Sequence, residues 1–149
     1  MAGRRIADVR VLGVSAVAML LGAVVGMAAE RERSARDGVE QTWLLETDLG
    51  DFPGKKAYMF IGNFEPGART GRHHHPGTEF LYVLEGHGVL EQSGRAPTPL
   101  SPGVAVYSEP DPEQPSFTHQ AKNLSETERM RTLVVLIVDA DAPTAIHLE

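Results

Sequence analysis

"GRHHHPGTEFLYVLEG", from Gly71 to Gly86, carries three consecutive histidines, half of the six in the whole chain. On an extended segment residues two apart project to the same face, so His73 and His75 point one way and His74 the other. "PGT" then makes a turn that lets the chain re-enter a sheet with Glu79 facing inward. Clustered histidines on an exposed loop commonly bind nothing. A carboxylate inside an otherwise apolar strand is different, because burying it is costly unless it is paired or coordinates a metal. His73, His75 and Glu79 are therefore read as one site, and His74 as a neighbour that faces solvent or supports a ligand from behind and is not itself a ligand.

Outward from this stretch the chain repeats one pattern. "TWLLET", "KAYMFIGNF", "EFLYVLE", "HGVLEQS", "VAVYS" and "RTLVVLIVDA" are strand-length, rich in β-branched and aromatic residues, and bounded by turn formers such as "EPG", "HPG", "QSGR" and "LSPG". "EGHG" between two of them suggests a tight hairpin. Helical periodicity is not sustained, and the brief "SETERM" reads as a loop. The pattern predicts an all-β barrel or sandwich of about eight to ten strands between Thr42 and Ala140. "EPDPEQP", from Glu109 to Pro115, cannot be a central strand, since proline lacks the ladder donor, and reads as a solvated loop. "RTLVVLIVDA" is too uniformly apolar for a half-exposed strand, and a small barrel leaves edges to cover, so a homodimer is expected.

With 149 residues the chain is long enough for one packed core. A hydrophobic fraction of 42% with 23% charged residues suits a globular protein. The formal charge of −6, with no basic stripe, excludes nucleic acid as the expected partner. There is no cysteine. Disulfides, thiolate zinc sites and cysteine nucleophiles go together, and any metal must use histidine and carboxylate ligands.

The start of the chain has its own pattern. Arg4, Arg5 and Arg10 precede a run without charge from Val11 to Ala29, with small residues at Gly26 and Ala28. This is the arrangement of a secretory signal, cleaved after Ala28, with a membrane anchor over residues 11–29 as the rival. The expected organisation is a signal segment over residues 1–28, a linker over 29–41 and a β-barrel over 42–149. A periplasmic or secreted location follows from it.

A further histidine, His119, lies in the strand-like "PSFTHQAKN". Three imidazoles and one carboxylate on adjacent strands of a small barrel can converge on one point. His73, His75, Glu79 and His119 suit a single divalent transition ion: Fe, Mn, Ni, Zn, Co or Cu. His87, in a turn, and His147, in the tail, are read as uninvolved. Trp43, Tyr58, Phe60 and Phe64 are read as core or dimer contacts, and Gly67 and Gly86 as glycines required by turn geometry.

The spacing Gly67-x5-His73-x-His75-x3-Glu79-x6-Gly86 resembles the first motif of the cupins at every fixed position. "LSPG" followed by His119-x3-Asn123 resembles the second. Here Val104 stands where an aspartate is common, and "EPDPEQP" lengthens the interval before His119. The resemblance runs from about Tyr58 to Ala140, and "HPGTEFLYVLEG" is most similar to small single-domain cupins of the quercetin-dioxygenase-like group. It implies a double-stranded β-helix (jelly-roll) barrel, a metal within it and frequent dimerisation. The function it implies is oxygen-dependent chemistry on a small enediol, flavonol-like or diketone substrate, with Glu79 as the proton-accepting catalytic residue. Two readings compete with that one: metal-assisted isomerisation or lyase chemistry, and small-molecule binding without turnover.

Overall fold

A computed structural model describes residues 38–108 and 118–148 of the chain. The expected signal segment, most of the linker and the loop "EPDPEQP" lie outside the described residues.

The described residues form ten strands and no helix. In chain order these are β1 (Val39–Asp48), β2 (Lys55–Phe64), β3 (His73–His74), β4 (Gly77–Glu85), β5 (Gly88–Gln92), β6 (Thr98–Leu100), β7 (Ala105–Ser108), β8 (His119–Asn123), β9 (Met130–Asp139) and β10 (Ile146–His147). They make two antiparallel five-stranded sheets, ordered β1-β2-β9-β4-β7 and β10-β3-β8-β5-β6. The expected all-β architecture is present. Two elements fall outside the expected limits: β1 begins at Val39, before Thr42, and β10 lies beyond Ala140.

Burial follows the two-residue period of a strand. Along β9, Met130, Thr132, Val134, Leu136 and Val138 are buried, while the residues between them are half-buried. From the first sheet Phe60, Phe64, Leu81, Val83, Met130, Val134 and Leu136, and from the second Leu90, Leu100 and Ala121, belong to one core. Each large apolar side chain buried there contributes about 1.5–3 kcal/mol relative to exposure.

One turn differs from expectation. "EGHG" does not close a hairpin, because β4 belongs to the first sheet and β5 to the second. The turn carries the chain across the core from one layer to the other. It needs Gly86: φ is +78° there, and a Cβ would stand 2.4 Å from the Arg129 carbonyl oxygen. Backbone and neighbour both exclude a side chain.

Candidate metal centre

The second sheet sets the site by register. His119 on β8 pairs with His73 on β3, and His73 pairs in turn with His147 on β10. Directly opposite residues of an antiparallel pair share a face, so these three imidazoles form a row across three strands. A slip of one residue would turn the row outward. His75 follows β3 and returns to the same space, and Glu79 enters it from β4 of the other sheet. The site thus spans both layers.

The geometry is close. The Nε2 atoms of His73 and His119 are 3.0 Å apart. Glu79 places Oε1 3.6 Å from His75 Nε2 and Oε2 3.5 Å from His119 Nδ1. His73, Glu79 and His119 are buried and His75 nearly so. His73, His75 and His119 each offer a nitrogen within 4.8 Å of the others, and this trio can hold a metal ion. Glu79 stands outside that set, against two of its members. His74 is half-buried, pairs with Ile146 and is likewise outside it.

The outer nitrogens show which way the rings are turned. His73 Nδ1 lies 3.0 Å from the carbonyl oxygen of Gly71, and His75 Nδ1 lies 2.5 Å from that of Thr144. A carbonyl only accepts, so both Nδ1 atoms carry the hydrogen and donate it. In its neutral form each ring then turns an Nε2 lone pair into the cavity, the arrangement in which imidazole binds metal. Two nitrogens about 2.1 Å from one ion and at right angles would stand about 3.0 Å apart, the separation His73 and His119 already have. The donor set fits a divalent transition ion.

Electrostatics agree. Burial, and then the neighbouring His119 and His75, lower the His73 pKa to about 3. Burial also lowers that of His119, with His75 and His74 adding to it and Glu79 opposing. Burial works against a charged His75 as well, but there contact with Glu79 and the Thr144 carbonyl outweigh it and its pKa rises. For Glu79 burial pushes upward, and His75 with the other two histidines more than offsets it, so its carboxyl stays ionised below the usual range. The metal-free site is a carboxylate paired chiefly with His75, beside two neutral imidazoles.

These groups open on a cavity of about 230 Å³. Its apolar wall includes Phe60, Phe64, Leu81, Leu90 and Val134, and its polar wall Gln41, Thr70 and Thr132. Phe60 and Phe64 are therefore both core and cavity wall. His147 corrects the sequence reading more sharply. It lines the cavity, with its ring 5.3 Å from that of His73. Its position so close to the end of the chain hid it; only the register of β10 brings it there.

Comparison with known proteins is consistent with this geometry. A family model described as "Cupin domain" matches residues 60–136, just over half of the chain, a span that contains His73, His75, Glu79 and His119. The chain belongs to the cupin family. Solved structures agree with this cupin in fold. A cupin-like protein from Thermotoga maritima is 26% identical over 74% of this chain and 75% of its own, with a TM-score of 0.55. A double-stranded β-helix protein from Klebsiella pneumoniae is 20% identical over 81% and 93%, with a TM-score of 0.57. A predicted oxalate decarboxylase from Thermotoga maritima is 24% identical over 67% and 80%, with a TM-score of 0.54. None of the curated proteins matches the chain.

Proposed function

We propose that this cupin holds one divalent transition ion with His73, His75, His119 and Glu79, and that it is an oxygen-dependent enzyme for a small enediol or diketone, of the quercetin-dioxygenase-like group. The observation that carries the reading is the pair of Nδ1–H donations to Gly71 and Thr144, which turns two imidazole lone pairs toward one point. When bound, the ion supplies a Lewis acid and, if redox-active, electrons for dioxygen.

The chain's own residues do the rest. Glu79, ionised and beside His75 and His119, is placed to accept the proton that an enediol or β-diketone must lose. Phe60, Phe64, Leu81 and Val134 pack against the hydrocarbon part of the ligand and keep water out, while Thr70, Thr132 and Gln41 can hydrogen-bond its oxygens. At about 230 Å³ the cavity is below the roughly 300–1,000 Å³ of sites for drug-sized ligands. That favours a small enediol or diketone over a whole flavonol.

The basic, then uncharged, then small-residue start supports export to the periplasm or beyond, and the apolar outer face of the first sheet supports a homodimer. Metal analysis of the purified protein, then oxygen uptake with a panel of diketones and catechol-like compounds, tests the activity. Oxygen consumption with product supports it. Product without oxygen uptake would replace it with isomerase or lyase chemistry, and tight binding without product with a binding protein.

A further inference from the structure

The last described residues are attached to the site in three ways. The Thr144 carbonyl accepts the hydrogen of His75 Nδ1 at 2.5 Å. Thr144, Ala145 and His147 form part of the cavity wall. His147 continues the row of imidazoles set by His119 and His73, one strand further out.

The attachment itself is slight. β10 has only two residues, at the edge of its sheet, with Leu148 N donating to the Arg72 carbonyl oxygen at 3.1 Å. Ile146 is 39% exposed and Leu148 52% exposed, and His147 is exposed too. A segment with so little buried apolar surface belongs to the parts of a fold that open at low cost.

We propose that residues 144–148 are a strap belonging to the metal centre, which closes the cavity, fixes the orientation of His75 and lays His147 across the mouth. His147 lies outside the trio of ligand nitrogens, so its place is toward the incoming molecule. There its ring can hydrogen-bond the polar end of a ligand that faces away from the ion. The proposal rests on the reading that the trio holds an ion. It adds that the ion and the ligand exchange through this opening, and that the strap sets the rate.

The chain has no cysteine, so a single reversible crosslink can test this. His74 and Ile146 are directly opposite, and opposite Cα atoms of antiparallel strands are about 4.5–5.5 Å apart, within disulfide reach. The double variant His74→Cys with Ile146→Cys is loaded with Ni²⁺, and loss of the ion to a chelator is timed in the oxidised and reduced states. Oxidation should slow the loss about tenfold, and reduction should restore the rate of the unmodified chain. A chain ending at Pro143 should bind the same amount of Ni²⁺ about tenfold more weakly, because His75 loses the carbonyl that orients it. His147→Ala should keep its Ni²⁺ content and release the ion faster. Equal release rates in the oxidised and reduced crosslinked protein would overturn the strap while leaving the metal centre standing. Failure of the unmodified chain to take up any Ni²⁺ would overturn the metal reading and the strap together.

Discussion

His73 and His119 stand directly opposite each other on β3 and β8, with their Nε2 atoms 3.0 Å apart. Two buried neutral imidazoles presented nitrogen to nitrogen can share one N–H···N hydrogen bond. An ion between their lone pairs gains two bonds. The register of one strand pair thus decides whether the chain has a centre at all.

The first prediction tests that set. Replacing His73, His75 or His119 by Ala should lower metal occupancy at least about tenfold, since each loses a ligand bond that the fold does not replace. His74→Ala should leave it unchanged, because an adjacent strand residue faces the other way. Metal analysis of the four variants after identical loading decides it. A merely adhesive histidine run would instead lose metal gradually with every deletion, His74 included.

The second concerns pH in the metal-free protein. His73, at about 3, and His119 have folded pKa values below the ordinary 6.5. As pH falls below 6.5 the unfolded chain takes protons that the folded one refuses, which for His73 costs up to about 1.4 kcal/mol of stability per pH unit until pH nears 3, and His119 adds a loss of the same sign. His75 does not offset this. Its raised pKa gives stability that is complete below 6.5 and is lost only as pH rises. Glu79, lowered from 4.5, adds a further loss once pH falls below that value. Metal-free protein should therefore lose stability steadily from pH 6.5 downward in urea titrations. A flat profile between pH 6.5 and 4.5 would contradict the buried neutral pair.

Much of this was legible in the chain. Alternation of apolar residues and turn formers marks the β class because strand period and turn chemistry are local properties. His73, His75 and Glu79 were legible for the same reason: two lie on one extended segment and the third just past a turn. His119 was a candidate from its strand-like segment, and the resemblance to cupins supported it, since no local rule says which distant strand lies beside β3. "EGHG" looked like a hairpin because a turn sequence does not reveal whether the next strand joins the same sheet. His147 was missed because only long-range pairing carries the chain's end back to the site.

A third prediction uses Gly86. Its φ of +78° costs a residue with a side chain about 1–3 kcal/mol, and the Arg129 carbonyl oxygen stands 2.4 Å from where a Cβ would go. Gly67 has a φ of +73° with nothing within 4 Å of a Cβ. Gly67→Ala should therefore show the backbone cost alone, and Gly86→Ala that cost plus a clash. Thermal melts should place Gly86→Ala lower by at least several degrees. Equal melting temperatures would mean that the turn between the sheets yields easily.

The last prediction concerns the outer face of the first sheet. Phe80, Tyr82 and Tyr107 there are 46%, 44% and 51% exposed, and Leu133 and Val135 lie beside them. The charges near the ends of β9 are already paired, Arg131 with Glu85 and Lys55 with Asp139, each at 2.7 Å. A chain of net charge −6 repels its own copy, so close approach needs a surface without charge, and this face supplies one. Two copies related by a two-fold axis would bury the same patch on each side. Sedimentation at micromolar protein should give a dimer mass. Phe80→Glu should give a monomer, because each copy would then have to bury an unpaired carboxylate in an apolar interface. Circular dichroism and metal content should not change, since Phe80 and Glu79 face opposite sides of β4. A monomeric mass for the unmodified chain would rule this interface out.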